Sequence, residues 1–399
     1  MINPPIITLP PKVYLIVKSI EQMQINIHSE IKQIAANDWN NLVKDNNPFL
    51  RHEFLAALEN NNCASDRFGW HPCHIAIRKN KKLVAAMPLY SKINSYGEFV
   101  FDHAWADAYQ RNQIAYYPKL VSAIPYTPTS GQRLLTREKH HDELLPLLIE
   151  TVKQFAKQQS FSSFHCLFPL SKELEWMKQQ ELLIRHDCQF HWHNQQYKDF
   201  EDFLERLEKK KRKNIRQERK RVKQQKISLR ILDGHTASDK DWADFSLFYE
   251  QTFAEKRGTA TLNNGFFKEV AQNLPEQTLL VLADKPDGQC IAGSLMYASD
   301  TTLYGRHWGC SEQVDKLHFE ACYYQGIEYC IKHQLKVFEP GAQGEHKIAR
   351  GFTPTLTRSA HWLNNSPFDE SIRQFVQHEK SAVKHYMLSL KSPYKTISQ

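Results

Sequence analysis

Apolar residues along this chain switch between two spacings, and the order of the switches occurs twice. MQINIH (Met23 to His28) alternates as a half-buried strand does. Asp38 and Trp39 fall in a stretch that reads as a helix ending near Lys44, and His52 to Asn60 keeps the spacing of a second helix. HIAIRKNKKLVAAMPLY, His74 to Tyr90, then reads as two strands around a polar turn. The same order returns in ISLRIL (Ile227 to Leu232), a helix holding Asp241 and Trp242 and running to Glu255, a helix over Gly265 to Asn273, and the hairpin LLVLADKPDGQCIAGSLMY, Leu279 to Tyr297. VAAMPLY and IAGSLMY match at an offset of 207 residues and the Asp-Trp pairs at 203, a faint internal repeat.

A further strand and helix follow each hairpin, so each half is expected to be a mixed sheet with helices on its faces. The fold class is α/β (α+β). The expected organisation is a flexible extension over 1–21, carrying Pro4, Pro5, Pro10 and Pro11, a first domain over 22–198, a connecting helix over 199–225 and a second domain over 226–399. Within the first domain, 92–136 reads as an aromatic-rich insertion with little helical or strand periodicity. The connecting helix has an apolar face of Phe200, Phe203, Leu204 and Leu207.

Charge changes this picture at one place. Lys209 to Arg221 (KKKRKNIRQERKR) holds nine basic residues and one acidic one; removing these from the chain's 52 basic and 44 acidic residues leaves 43 of each. The net charge of +8 therefore belongs to one element, which must be solvated or meet an anion. Three outcomes fit: a donor-phosphate site at Lys211, Arg212 and Arg216, a non-catalytic module that holds RNA or another polyanion, or a solubilising helix face.

No apolar run approaches the ~20 residues of a membrane-spanning helix, so at most peripheral membrane contact is expected. The eight cysteines form no CxxC pair, which favours a reducing, cytoplasmic compartment. Neither GxSxG nor GxxxxGK[ST] occurs, and the histidines at 71, 74, 140, 141, 191 and 193 lack the paired spacing of a zinc site, so no metal is expected.

The densest chemistry is EPGAQGEHKIARGF (Glu339 to Phe352), which follows the short strand LKVF. Its glycines let the backbone turn, Glu339, Glu345 and His346 offer bases, and Lys347 and Arg350 offer cations; Gln343 adds a polar contact. YGRHWG (Tyr304 to Gly309) ends another strand with Arg306 and His307 placed to aim into a cleft. The insertion contributes Asp102, Trp105 and Tyr126 as pocket candidates, with the alternative that it is an aromatic loop tucked against the core.

Taken together, NPFLRHEFLAALE, GEFVFDHAWADAY, YYPKLVSAIPYTPTSGQRLL, KKKRKNIRQERK, YGRHWG with LHFEACYYQGIEY, and EPGAQGEHKIARGFTP resemble the FemAB-like predicted N-acyltransferases of the GNAT superfamily, relatives of the peptidoglycan aminoacyl transferases. The resemblance implies two tandem GNAT-like domains and transfer of an acyl or aminoacyl group to an amine acceptor, with cell-wall precursors among the acceptors. It implies acyl-CoA or aminoacyl-tRNA as donor. The stretch GCSEQVDKLHFEA lacks the (Q/R)xxGx(G/A) loop on which ordinary GNAT enzymes cradle acetyl-CoA pyrophosphate, which weakens the case for that donor. The expected roles are Glu345 or His346 as base, Tyr304 or Tyr126 as acid, and Glu339, Gln343, Lys347, Arg350, Arg306, His307, Asp102, Trp105 and Tyr126 as substrate contacts.

Overall fold

The computed structural model describes residues 14–16, 23–137, 140–342 and 344–395. Its first half runs β1 (Tyr14–Ile16), β2 (Met23–His28), α1 (Ala36–Asn40), α2 (His52–Asn60), β3 (Trp70–Pro72), β4 (His74–Lys79), β5 (Lys82–Met87), β6 (Tyr90–Lys92), α3 (His103–Arg111), β7 (Lys119–Ser122), β8 (Leu135–Thr136), α4 (His141–Gln158), β9 (Ser163–Leu167), α5 (Ser171–Gln179) and β10 (Leu183–His193). Two helices follow, α6 (Phe200–Arg206) and α7 (Lys209–Gln224). The second half runs β11 (Ser228–Leu232), α8 (Asp239–Glu255), α9 (Asn264–Asn273), β12 (Thr278–Asp284), β13 (Cys290–Ala298), β14 (Thr302–Cys310), α10 (Leu317–Phe319), a π-helical turn (Glu320–Tyr324), α11 (Gln325–Lys332), β15 (Val337–Glu339), a 3-10 turn (Glu345–Arg350), β16 (Thr353–Leu363) and α12 (Asp369–Ser389).

The repeat is present in the order of elements. In each half a strand, two helices and a hairpin precede a strand that lies parallel to a later one, β7 beside β9 and β14 beside β15, with a helix between. Among the described residues the strands form one sheet ordered β1-β2-β4-β5-β8 and a second ordered β11-β12-β13-β14-β15-β10-β16-β9-β7-β6-β3. Each half lends its last long strand to the other: β10 pairs with β15, while β16 pairs with β9. The two lent strands also pair with each other, from Leu183 opposite His361 to His191 opposite Thr353. The long sheet therefore crosses the junction without a break, and one apolar cluster spans both halves through Phe49, Phe54, Phe266, Tyr297 and Tyr304.

Three local expectations change. The first-half helix near Trp39 is one turn long, because Trp39 donates its Nε1 hydrogen to Leu50 O at 2.7 Å and the chain turns to meet that contact. The insertion 92–136 is partly regular: β7 adds to the long sheet, and α3 buries Trp105 and Tyr109. The connecting helix is two helices. Leu207 leaves the helical region with ψ of 155° and bridges to Tyr394, and Glu208 donates its N–H to Pro393 O.

Helix α8 shows how sequence places a wall of the site. Ser238 caps it and Asp241 returns the bond to the Ser238 N–H, the reciprocal arrangement that fixes a helix start. Trp242, Phe245 and Tyr249 then share one buried face, each contributing about 1.5–3 kcal/mol by leaving water. Glycines in the sheet let the helix approach. A Cβ at Gly309 would lie 2.2 Å from Phe248 O, and one at Gly293 would lie 2.8 Å from the Phe245 ring.

Candidate functional site

β14 and β15 run side by side only from Thr302 to Tyr304 opposite Val337 to Glu339. Beyond that, β14 continues along β13, while the chain after Glu339 swings off through Pro340 and Gly341, whose φ of +100° suits a residue without a side chain. The strands splay, and a cavity of about 1010 Å³ opens beside the gap. Arg306, His307 and Trp308 of β14 form its floor, α8 supplies Tyr249, Thr252 and Phe253, and Lys256 follows at the C-terminal cap of that helix. His318 of α10 and Gly341 and Ala342 close one end, and the first half contributes Arg67, Phe68, Asn94, Tyr96, Gly97, Phe99, Tyr126 and Pro128. Arg67, Lys256 and Arg306 are cations; none of the lining residues is Asp or Glu.

A second cavity of about 1410 Å³ shares Arg67, Phe68, Gly258, Thr259 and Thr261 with the first. Its lining is of opposite character: Glu30, Glu59, Asp66 and Glu250 against Lys32 and the shared Arg67, with the amides of Asn60, Asn61, Asn62 and Asn263 between them. The two chambers thus meet at Arg67 and Phe68, one carboxylate-free and cationic, the other amide-rich and acidic.

Burial sets the electrostatics of the cationic chamber. Arg306 donates to Tyr126 O, and its pKa falls to about 10 because burial disfavours its charge. His307 packs edge-on against Tyr249 at 5.1 Å between ring centroids; burial, then the neighbouring Arg306, hold it far below its ordinary value, so the imidazole is neutral at pH 7. His318 is pushed down to about 4, first by burial and then by His346, Arg350, Lys347 and Lys256. Glu339 is buried at the end of β15 with its Oε2 unpartnered, and burial raises its carboxyl to about 8 against the opposing pull of the Ser130 amide, Arg306 and Arg133. It is therefore mostly uncharged at pH 7 and leaves Arg306 without a neutralising carboxylate.

The segment after Glu339 divides among several surroundings. Gly341 and Ala342 wall the cavity, and Lys347, whose pKa burial lowers to about 8, donates its Nζ hydrogen to Gly341 O at 2.7 Å and pins that wall. His346 Nε2 is 3.0 Å from the Tyr323 hydroxyl. Arg350 bonds His346 O and Glu218 Oε1, each at 2.7 Å, with its guanidinium 3.4 Å above the Phe319 ring. Glu345 points elsewhere: it accepts from the Tyr386 hydroxyl at 2.6 Å in a separate groove of about 450 Å³ with Asp187, Cys188 and Phe190. Gln343 lies outside the described residues.

Of the other expected site residues, Tyr126 and His307 line the cationic chamber, and Tyr126 spends its hydroxyl on Cys63 O at 2.8 Å. Tyr304 is packed in the core against Phe49, where its hydroxyl meets Asn47 Nδ2 at 3.3 Å and burial raises its pKa. Asp102 and Trp105 are buried away from the cavity. Asp102 accepts from Lys119 and from the Tyr116 hydroxyl, Lys119 also reaches Glu98 at 2.8 Å, and Trp105 stands against His361 and Arg185. This network anchors the loop whose Asn94, Tyr96, Gly97 and Phe99 edge the cavity. Arg212 and Arg216 are ion-paired to Glu205 and Glu201 on the surface of α6 and α7, and with Lys211 they lie apart from the cavity walls.

The residues that sequence reasoning missed are Arg67, Tyr249, Phe253 and Lys256. The last three sit on one helical face, a signal that marks burial but not a cavity, and nothing local singles out Arg67. Among the described residues, no three His, Cys, Asp or Glu side chains converge as metal ligands, and no helix is long and apolar enough to cross a membrane.

A family model described as FemAB-like, peptidoglycan biosynthesis/recognition, matches residues 30–396. No curated protein sequence matches. The crystal structure of FemX superposes with a TM-score of 0.52 at 11% identity, over 86% of this chain and 99% of that one. The C-terminal domain of a putative lysylphosphatidylglycerol synthetase from Agrobacterium fabrum gives 0.51 at 8% identity, over 88% of this chain and 96% of that one. These likenesses extend across both halves and show a shared fold.

Proposed function

The chain belongs to the FemAB-like family, and from that premise we propose that it transfers an acyl or aminoacyl group to an amine, with donor and acceptor meeting where the two chambers join. The observation that carries this reading is their opposite charge. An acyl donor such as aminoacyl-tRNA or acyl-CoA brings phosphates and a planar base, which suit Arg67, Lys256 and Arg306 set among Phe68, Tyr96, Phe99 and Trp308. An amine acceptor arrives protonated, which suits the acidic, amide-rich chamber. The family description points the same way: amine-bearing cell-wall precursors are the acceptor class we favour.

His307 is the base in this scheme. The acceptor ammonium releases one proton to solvent, the freed amine attacks the donor carbonyl, and the neutral imidazole takes the second proton from nitrogen as the C–N bond forms and negative charge collects on the carbonyl oxygen. Arg306 faces that charge. Collapse breaks the C–O bond of an ester or the C–S bond of a thioester, and the imidazolium returns its proton to the leaving atom. Glu345 and His346 were the expected bases; the groove around Glu345 and the Tyr323 contact of His346 favour a supporting role for both.

Mass spectrometry of products after incubation with charged tRNA or acyl-CoA, each with amine acceptors, tests the reading. Transfer from one donor, abolished in Arg306→Ala, is expected. Absence of transfer from both, with donor affinity unaltered by Arg306→Ala, overturns it.

A further inference from the structure

Helix α7 turns two unlike faces to its surroundings. Inward, Ile215 and Val222 are buried, Glu218 accepts from Arg350 and from the Tyr324 hydroxyl, and Arg219 forks onto Glu320 and Glu328 at 2.8–3.1 Å. Outward, at ~100° and 1.5 Å per residue, Lys209, Lys213, Lys220 and Lys223 fall within an arc of about 80° and along a line of about 21 Å. All four are exposed, and among the described residues none has a carboxylate partner. The same arc holds Arg216 but no acid, and the neutral Gln217 and Gln224 lie beside it.

This arrangement works against the helix. Lys209 with Lys213 and Arg216 with Lys220 are like charges four apart, Lys213 with Arg216 and Lys220 with Lys223 three apart, and each pair repels. The first turn has no acidic residue and no capping side chain, so its lysines sit at the positive end of the dipole. The neighbouring arginines are already neutralised by Glu201 and Glu205, but the lysine line is not. An anionic partner relieves the repulsion.

The chemistry of the line narrows the partner. Its unpaired members are lysines, hydrated point charges without the planar fork that reads phosphate or base edges two bonds at a time. No aromatic residue lies on the arc to stack a base. Its straight course lets every ammonium touch a plane at once, and the buried state of Ile215 and Val222 leaves nothing to insert between acyl chains. We propose that the outward face of α7 is an electrostatic docking surface on which the protein rests against an anionic lipid bilayer, held by headgroup charge alone. Because Glu218 on the inward face holds Arg350, a docked α7 is one ion pair from the turn that carries His346 and Lys347.

Co-sedimentation with vesicles of phosphatidylcholine, with and without phosphatidylglycerol, tests this. Binding is expected only to the anionic vesicles and is expected to reverse with salt. Replacing Lys209, Lys213, Lys220 and Lys223 together by Gln should weaken partitioning several-hundred-fold, at about fivefold per lysine. Because the four are exposed and Gln is a good helix former, the unfolding midpoint should stay put, and replacing the four by Arg should restore binding. Failure of the wild-type protein to sediment with anionic vesicles at low salt overturns the proposal. So does equal binding by the Gln variant, and so does loss of RNA-duplex binding in that variant without any vesicle binding, which would assign the line to nucleic acid.

Discussion

Glu339→Gln removes a buried carboxyl while keeping its shape, and its consequence is a change in how stability depends on pH. Burial moves this carboxyl from 4.5 to about 8. Between those values the folded protein keeps a proton that the unfolded chain has released, so stability falls as pH rises, by about 1.4 kcal/mol per pH unit. The whole effect, reached above the folded pKa, is on the order of 5 kcal/mol. Glutamine does not titrate. Between about pH 5.5 and about pH 7.5 the variant should therefore gain about 2–3 kcal/mol relative to wild type. Chemical denaturation of both proteins at the two pH values measures this as a double difference, in which the similarly raised Glu98 and Glu173 cancel. Parallel stability curves for the two proteins would refute the reasoning. They would mean that Glu339 is ionised beneath Arg306, and the cationic chamber would lose its uncompensated charge.

His307→Gln should lower single-turnover transfer by about 10²–10⁴-fold with donor affinity unchanged, while Glu345→Gln with His346→Gln should keep most of the turnover; the opposite pattern would return the base to the segment after β15. Gly309→Ala drives a Cβ into the α8 backbone at Phe248 and should cost about 2–4 kcal/mol in thermal or chemical unfolding, and an unchanged midpoint would show that α8 can shift. Arg219→Met leaves the buried Glu320 without its guanidinium and should cost about 3 kcal/mol, with Glu320→Gln in the same chain recovering part of it. A null result there would show that water reaches the carboxylate.

Local elements were legible because their causes are local. The hairpins, the alternation of MQINIH and ISLRIL, and the long helix after Ser238 each follow from side chains within a few residues, and the structure has them within a residue or two of the expected bounds except for the first hairpin, which ends at Met87 because Tyr90 opens β6 in the long sheet. Trp39 is an exception that explains the rule: its hydrogen bond to Leu50 O shortened a helix that periodicity extended to Lys44. The aromatic insertion was read as irregular because β7 is regular only when paired with β6 and β9. In the site, Arg306, His307 and Tyr126 were identifiable as reactive or amphipathic groups, although Arg306 and His307, expected at a strand end, lie inside β14, which continues along β13 to Cys310. The meaning of Glu345 was not, since its direction depends on Tyr386 of α12, 41 residues away in sequence.

What the chain alone determined is the repeated order of strands and helices, the two-half organisation, and the concentration of net charge in one segment, all consequences of spacing and composition. Only the tertiary structure decided that the halves exchange β10 and β16, that Arg67, Lys256 and Arg306 share a carboxylate-free cavity, and that Glu339 is mostly uncharged beside it. The physical reason is that periodicity fixes which face of an element must leave water, whereas the apolar attraction that buries it has no direction and does not specify the partner. Charge and reactivity follow that choice, because a pKa is set by whatever the fold brings next to the group.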